Sequence, residues 1–272
     1  MQPTPELLNA DIIQAALSKK AASLLQKLEI YPKIDSTNNY LLEQAKQSHK
    51  RQAVFAEQQM AGRGRNGRQW YSPFACNIYL SILWDYPLSS SLEKELTGFS
   101  LATSVAIIQA LKNYGVGGNL QVKWPNDIFF QQRKLAGVLI ETVTTAKQLH
   151  VVVGVGLNVD LSSQADIPVD QPWIDIRTII EKKPERNILA AKLLAELLLL
   201  LENYPASGFI SYLTDWQKLD ALKDRVVTMQ VNGQQIVGLA KGVNHKGELL
   251  ILTADGMLHN FSHSEARIQR LD

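Results

Sequence analysis

The segment AGRGRNGRQW, residues 61–70, sets Arg63, Arg65 and Arg68 among Gly62, Gly64 and Gly67, in a chain whose 28 basic and 26 acidic residues leave a formal charge of only +2. Arginine's planar fork grips carboxylate and phosphate oxygens in pairs, and glycine lets backbone come close to a ligand. The segment therefore reads as a lid over a small anion. Read literally, GRGRNG matches a dinucleotide-binding fingerprint. That motif opens a helix at its third glycine, whereas Gly67 is followed by RQWYSPFACNIYLS, a proline and then a strand. A phosphate-cradling loop needs G-K-[ST], which occurs nowhere in the chain. Three arginines beside Trp70 and Tyr71 could hold phosphates and stack a base, but one loop is thin for a nucleic-acid surface. The plain alternative is a solvated charged loop.

Two other stretches carry polar groups in unusual places. KWPND, residues 123–127, gathers Lys123, Trp124, Asn126 and Asp127 around Pro125, which drives Trp124 toward an extended conformation and stops a helix. By itself it reads as a polar turn. RKLAG, residues 133–137, puts Lys134 at the mouth of an apolar strand, where a lone lysine reads as a guard on a strand edge.

These residues need elements to hold them. Apolar pairs between residues 7 and 28 recur at helical spacing, and EIYPKIDSTNNYLLEQAK reads as a strand, a capped start at Asp35 to Thr37, and a helix. AVFAEQQ (53–59) and NIYLSILW (77–84) are strand-like, so the arginine segment lies between two strands. A long helix is expected from about Leu92 to Tyr114, capped by Gly115. LQVKWPNDIFF, KLAGVLIETV and LHVVVGVGLNV are joined by turns too short for a parallel crossover, so they must be antiparallel neighbours. Helices follow at 187–219, and four short β runs, broken at NGQ, NHKG and ADG, fill the remainder. The expected class is α+β: a mixed, largely antiparallel sheet with helices packed on it over residues 1–222, and a small β-barrel over 223–272.

An apolar content of 46% supports a full core. The greasy run NILAAKLLAELLLLLENY at 187–204 is interrupted by Lys192 and Glu196 and reads as a core helix rather than a membrane span. Cys76, the single cysteine, excludes an internal disulfide framework and reads as a packing residue in a reducing compartment. With no secretory signal pattern at the N-terminus, the expected location is the cytoplasm.

In this order and spacing, the arginine lid, KWPND, KLAG and GVGLN (154–158) resemble the biotin protein ligase family, from IDSTN at 34–38 through the terminal β module. The resemblance implies a class II synthetase-like catalytic domain with a C-terminal SH3-like barrel. It implies ATP and biotin as substrates, with Mg²⁺: biotin is activated as biotinyl-5′-AMP with release of pyrophosphate, then passed to a lysine of the biotin carboxyl carrier protein of acetyl-CoA carboxylase. Neither step needs an enzyme nucleophile, only two anions held together, charge stabilised at phosphorus, and water kept out. The nearest alternative is a lipoate–protein ligase. A nucleic-acid-binding regulator is a more distant one. Some thirty residues precede YPKIDSTN, room for one or two helices but not a three-helix DNA reader, so the reading is a ligase that is not a repressor, with no specific nucleic acid and no membrane as partner. Monomer and homodimer are both compatible.

The resemblance also assigns residues. Ser36, Thr37, Asn38 and Gln59 should meet biotin's ureido ring, Ser36 and Thr37 doubling as helix caps. Gly62, Arg63, Gly64 and Arg65 should form the lid over the carboxylate and the new phosphate ester, with Lys134 facing the same oxygens from the other side. Lys134, Arg63 and Arg65 are the residues expected to do the chemistry. Tyr79, Gly137 and Gly156 should shape an apolar slot. Arg65, Arg68, Trp70, Asn126 and Asn158 are expected at ATP, with Trp70 stacking on adenine, and Asp127 is a candidate neighbour of the metal. Asn66 stands where arginine is common in the family, a departure that bears on how the lid orders.

Overall fold

The computed structural model describes residues 5–47, 51–88, 96–146, 148–164, 171–231, 234–262 and 266–268. A seven-stranded sheet forms the main body. Its order is β1 (Lys27–Tyr31), β2 (Gln52–Ala56), β3 (Ile78–Pro87), β7 (Gln148–Leu157), β6 (Arg133–Thr144), β5 (Asp127–Phe130), β4 (Leu120–Lys123). Only β1 and β2 run parallel; the other pairs are antiparallel, as the short connections between the later strands require.

The central strands are covered on both faces, and their sequence shows it. On β3 the alternate residues Ile78, Leu80, Ile82 and Trp84 enter the large core with α4 (Leu96–Tyr114), α5 (Ile176–Ile180) and α6 (Arg186–Ser207). Leu83 turns the other way, into a smaller cluster with Val54, Val152 and the residues Leu41 and Ala45 of α3 (Thr37–Lys46). A strand buried on both sides must be apolar throughout, so NIYLSILW shows no clean alternation. Ser81 is its one polar interruption. Helix α6 is buried on nearly all sides, which accounts for the leucine run at 193–201, and among the described residues no helix is long and apolar enough to cross a membrane.

At the N-terminus the expected helical stretch is two helices, α1 (Ala10–Ala16) and α2 (Lys19–Leu24). Ser18 caps the second through its Oγ, which accepts from the Ala21 amide, so the break follows from a capping residue inside the periodic pattern. The helix expected from Leu92 is described from Leu96, residues 92–95 lying outside the described residues, and it ends as expected at Gly115 with φ +103°. Between β5 and β6 the two-residue turn is Gln131–Gln132, both at positive φ (+49° and +63°), where the usual Asn-Gly signal is missing.

The terminal β module has one strand more than the four runs expected. Its order is β11 (Leu258–Phe261), β10 (Leu249–Leu252), β9 (Gln234–Val243), β8 (Val226–Val231), β12 (Ala266–Ile268), because the last run divides into two strands on opposite edges. Met229, Ala240, Leu249 and Ile251 join the same apolar core as the main sheet. Trp124 Nε1 donates to the Gly247 carbonyl at 3.0 Å, tying KWPND to the module. A Cβ on Gly247 would lie 2.7 Å from the Gly98 Cα, so this contact tolerates no side chain.

Helix α7 (Ile210–Leu219) ends at Asp220, where the Ala221 amide bonds to the Val122 carbonyl at 3.0 Å and so braces β4. Asp220 Oδ1 accepts from the Leu222 amide at 2.8 Å while Oδ2 finds no partner among the described residues, and burial pushes this carboxyl up to about 6. A folded-state value above the unfolded one means that the folded protein holds the proton longer. Stability therefore falls between about pH 4 and pH 6, by on the order of 2–3 kcal/mol. We predict that Asp220→Asn removes this loss. The unfolding free energy of the variant relative to wild type should rise by on the order of 2 kcal/mol from pH 4 to pH 7 in urea titrations, and a pH-independent difference would refute the assignment.

Candidate functional site

The sheet face turned toward α3 carries residues of one parity on each strand: Ser81 and Leu83 on β3, Val152, Gly154 and Gly156 on β7, Gly137, Leu139 and Glu141 on β6. On this face lies a cleft of about 150 Å³. Parity alone would send Lys134 to the opposite side. A bulge shifts the β5–β6 register between the Ile128–Ala136 and Phe129–Lys134 pairs, leaving Leu135 in the core and bringing Lys134 round to the cleft. There its Nζ lies 2.8 Å from Asp127 Oδ1 and 5.3 Å from the centre of the Trp70 ring, with both ion-pair side chains largely buried.

One end of the cleft is built on the first turn of α3. Ser36 is the N-cap, its Oγ accepting from the Asn39 amide. Gln59 Oε1 accepts from the Thr37 amide (2.9 Å) and from Thr37 Oγ1 (3.1 Å), and Gln59 Nε2 donates to Ser72 Oγ. Ser81 Oγ sits 2.7 Å from Thr37 Oγ1 and 2.6 Å from Asn38 Oδ1. This end is rich in uncharged donors and acceptors. Toward the other end, along β6, come Lys134, with Lys123, Arg65, Asn126 and Asp127 from the neighbouring segments.

The lid is a hairpin. Gly64 N donates to the Arg68 carbonyl at 2.7 Å, Trp70 N to the Gly62 carbonyl at 2.9 Å, and Arg63 pairs with Gln69. Its tip, Arg65 to Arg68, closes through an Arg68 N to Arg65 O bond of 3.2 Å. Asn66 at φ +55°, ψ +36° and Gly67 at φ +73° match a type I′ turn. Asn-Gly is the residue pair such a turn favours, because asparagine tolerates the left-handed region and glycine has no Cβ to oppose it.

Most expected site residues meet at the cleft: Ser36, Thr37, Asn38, Gln59, Arg63, Gly64, Arg65, Arg68, Trp70, Asn126, Asp127, Lys134, Gly137, Gly156 and Asn158 all line it. Two do not. Tyr79 is covered by the segment returning from the lid, its Oη donating to the Pro73 carbonyl at 3.0 Å, and burial holds its phenol well above the usual range. Gly62 lies at the hairpin base, where a Cβ would come within 2.6 Å of both Ser72 Oγ and the Trp70 carbonyl, so the close packing of the lid there leaves room only for glycine.

Three expected positions differ in detail. The space before Gly137 and Gly156 is filled by the Trp70 ring, to which a Cβ on Gly156 would come within 2.3 Å. The Arg63 guanidinium is engaged at the α3 end: its Nη2 binds Glu141 Oε1 at 2.7 Å and its Nη1 contacts Asn39 Oδ1. Asn158 spends its amide on the carbonyls of Lys134 (3.3 Å) and Ile174 (3.1 Å), fastening the cleft wall.

Ser81, Glu141 and Trp173 line or frame the site and were not anticipated. A signal existed for the first two: Ser81 interrupts an apolar run, and Glu141 is the one acidic residue of β6. Trp173 arrives through the pairing of its segment with Lys134, for which nothing local speaks.

Residues 30–158 match the family model described as the biotin/lipoate A/B protein ligase family. The chain is 36% identical over 269 residues to the bifunctional ligase/repressor BirA of Escherichia coli, spanning 98% of this chain and 80% of that protein. It is 32% identical over 238 residues to a biotin–[acetyl-CoA-carboxylase] ligase of Mycobacterium tuberculosis, spanning 85% of each. The structure superposes on that of a biotin protein ligase from Aquifex aeolicus in complex with biotin and ATP with a TM-score of 0.74 and 26% identity, covering 90% of this chain and all of the other.

If the Asn66–Gly67 turn sets the lid, Asn66→Arg should destabilise the hairpin by about 1 kcal/mol, because a longer side chain is less at home in the left-handed region, whereas Asn66→Gly should not. Hydrogen exchange at the Gly64 and Trp70 amides is the measure, and equal protection in all three proteins would dissociate the turn from lid order.

Proposed function

The chain belongs to the biotin/lipoate A/B protein ligase family and is an ATP-dependent biotin–protein ligase, and we propose how its cleft divides the work. The observation that carries the reading is the polarity of the cleft: uncharged hydrogen-bonding groups at the α3 end, cations toward Lys134, and a glycine-bearing sheet face between them. Biotin has this same polarity, a neutral ureido ring joined by an apolar chain to a carboxylate.

We assign the ureido ring to Ser36, Thr37, Asn38, Gln59 and Ser81, since a buried polar ring must have its hydrogen bonds satisfied. The carboxylate is assigned to Lys134, whose ammonium exchanges part of its pairing with Asp127 for the substrate oxygens. In the first step a carboxylate oxygen attacks the α-phosphorus of ATP, and the bond from that phosphorus to the pyrophosphate oxygen breaks. Lys134 and Arg65 offset the repulsion between the two anions and the charge growing on the phosphorus oxygens. Arg68 and Asn126 are assigned to the nucleotide with them, and Trp70 to adenine, for which its ring must leave the glycines it covers. In the second step the amine of a carrier lysine attacks the acyl carbon, AMP leaves, and the new amide nitrogen gives up a proton. The hairpin lid keeps water from the anhydride in the interval.

Magnesium belongs to this reading as a companion of the triphosphate. Asp127 is engaged by Lys134, and no group of three or more His, Cys, Asp or Glu gathers to hold a metal among the described residues. That donor set fits a cation carried mainly by phosphate oxygens, with Asp127 and Asn126 as its protein neighbours. When bound it neutralises phosphate charge. The acceptor is assigned as the carboxyl carrier protein of acetyl-CoA carboxylase, the reaction to the cytoplasm, and the domains to residues 1–222 and 223–272.

Exchange of labelled pyrophosphate into ATP tests the substrate: it should depend on biotin and not on lipoate, and exchange with lipoate alone would overturn the reading. Lys134→Ala should slow biotin-dependent exchange on the order of a hundredfold, and an unchanged rate would remove Lys134 from the chemistry.

A further inference from the structure

We propose that Glu141 is a positioning residue that anchors the lid and couples its closure to occupancy of the polar end of the cleft. The inference rests on the biotin-ligase reading for its ligand, but the anchoring itself does not.

Glu141 stands on β6 with its two oxygens committed to two different elements. Oε1 accepts from Arg63 Nη2 of the lid at 2.7 Å, and Oε2 accepts from Asn38 Nδ2 in the first turn of α3 at 3.0 Å. The other terminal nitrogen of Arg63 contacts Asn39 Oδ1, in the same turn. The guanidinium is thus held at the N-terminus of a ten-residue helix, where the helix dipole opposes a cation. The first turn of α3 contains no acidic residue of its own. Glu141 supplies the missing negative charge from across the cleft, and without it Arg63 keeps only the neutral amide oxygen of Asn39.

The same carboxylate sets the polar end. With its Nδ2 held by Glu141, Asn38 aims Oδ1 at Ser81 Oγ, which in turn sits against Thr37 Oγ1 and so joins Gln59. A Cβ on Gly154 would lie 2.1 Å from Asn38 Oδ1, so the amide packs directly on the sheet and its position is narrowly defined. A continuous chain of polar contacts therefore runs from the lid through Glu141 and Asn38 to the groups assigned to the ureido ring. A ligand that orders that end holds Asn38, and Asn38 holds the anchor. The first strand of the lid is tethered while the tip, with Arg65, reaches Asn126 at the cationic end.

Both partners of the ion pair are partly exposed, 40% for Arg63 and 23% for Glu141, so the effect is moderate and sensitive to salt. Without ligand, Glu141→Gln should raise hydrogen exchange at the Gly64 amide roughly three- to tenfold. The biotin dissociation rate in stopped flow should rise by a similar factor, with KM for biotin up and the maximal rate of adenylate formation nearly unchanged. Raising the salt should speed biotin release from wild type more than from the variant, which lacks the Arg63–Glu141 pair. Arg63→Gln, at an exposed lid position, should reproduce the rise in hydrogen exchange at the Gly64 amide, and by that measure the double variant should be no worse than either single one. Additive effects, or exchange and release rates equal to wild type in Glu141→Gln, would overturn the proposal. Absence of biotin binding to wild type, with the exchange result intact, would instead overturn the ligase reading and leave the anchor standing.

Discussion

The site depends on side chains that are missing from the middle of a sheet. Gly137, Gly154 and Gly156 lie on the face turned toward α3, and each marks a place where another residue packs straight onto backbone: Trp70 over Gly137 and Gly156, Asn38 over Gly154. Alanine at either of the β7 glycines would drive its Cβ into those groups at 2.1–2.3 Å. Elsewhere on the same face, Leu83 and Val152 fill the surface and seat α3. One sheet surface thus holds a helix with its valines and leucines and opens a cleft with its glycines, so the rigidity of the fold passes directly to the walls of the site.

The charges are placed by irregularities rather than by regular structure. Lys134 reaches the cleft because Leu135 occupies a bulge, and it is partly desolvated beside Asp127 and the Trp70 ring, where an ammonium interacts more strongly than in water. The arginines ride on a hairpin whose tip uses Asn66 and Gly67 at positive φ. The lid is therefore an ordered strand pair tethered at Arg63, not a loose run of glycines, and a preformed lid loses less conformational entropy when it closes on a ligand.

Two supports keep the walls in register. Arg186, at the start of α6, binds Glu57 at 2.8 Å and the Asn77 carbonyl at 2.7 Å, both fully inside the protein, and so joins the end of β2 to the start of β3 just where the lid leaves and returns. A buried pair of this kind is costly to break because either partner alone would be an uncompensated charge. On the far side the terminal module holds Trp124 through Gly247, across a Trp124–Pro125 peptide that is cis, and Asp220 braces β4 against the end of α7. KWPND is thereby fixed from behind by residues roughly a hundred or more positions away.

Much of this was legible in the chain. The α+β class, the antiparallel order after the long helix and the capped start at Ser36 follow from local chemistry, from caps and turn lengths, whereas the meeting of lid, KWPND, KLAG and GVGLN was implied only by the family resemblance that their order and spacing carry. The hairpin lid was legible too, since Asn66–Gly67 is a turn signal, but charged flanks in place of alternating apolar residues concealed it. What local chemistry could not decide was orientation. Whether Tyr79 or Ser81 serves the cleft, whether Lys134 falls on its face or the opposite one, and whether Arg63 answers to a ligand or to Glu141 depend on the segment at Pro73 that covers Tyr79, on one inserted residue in β6, and on partners distant in sequence. Residue type is a property of the chain, whereas the neighbour that gives a side chain its role is set only when strands pair and faces close.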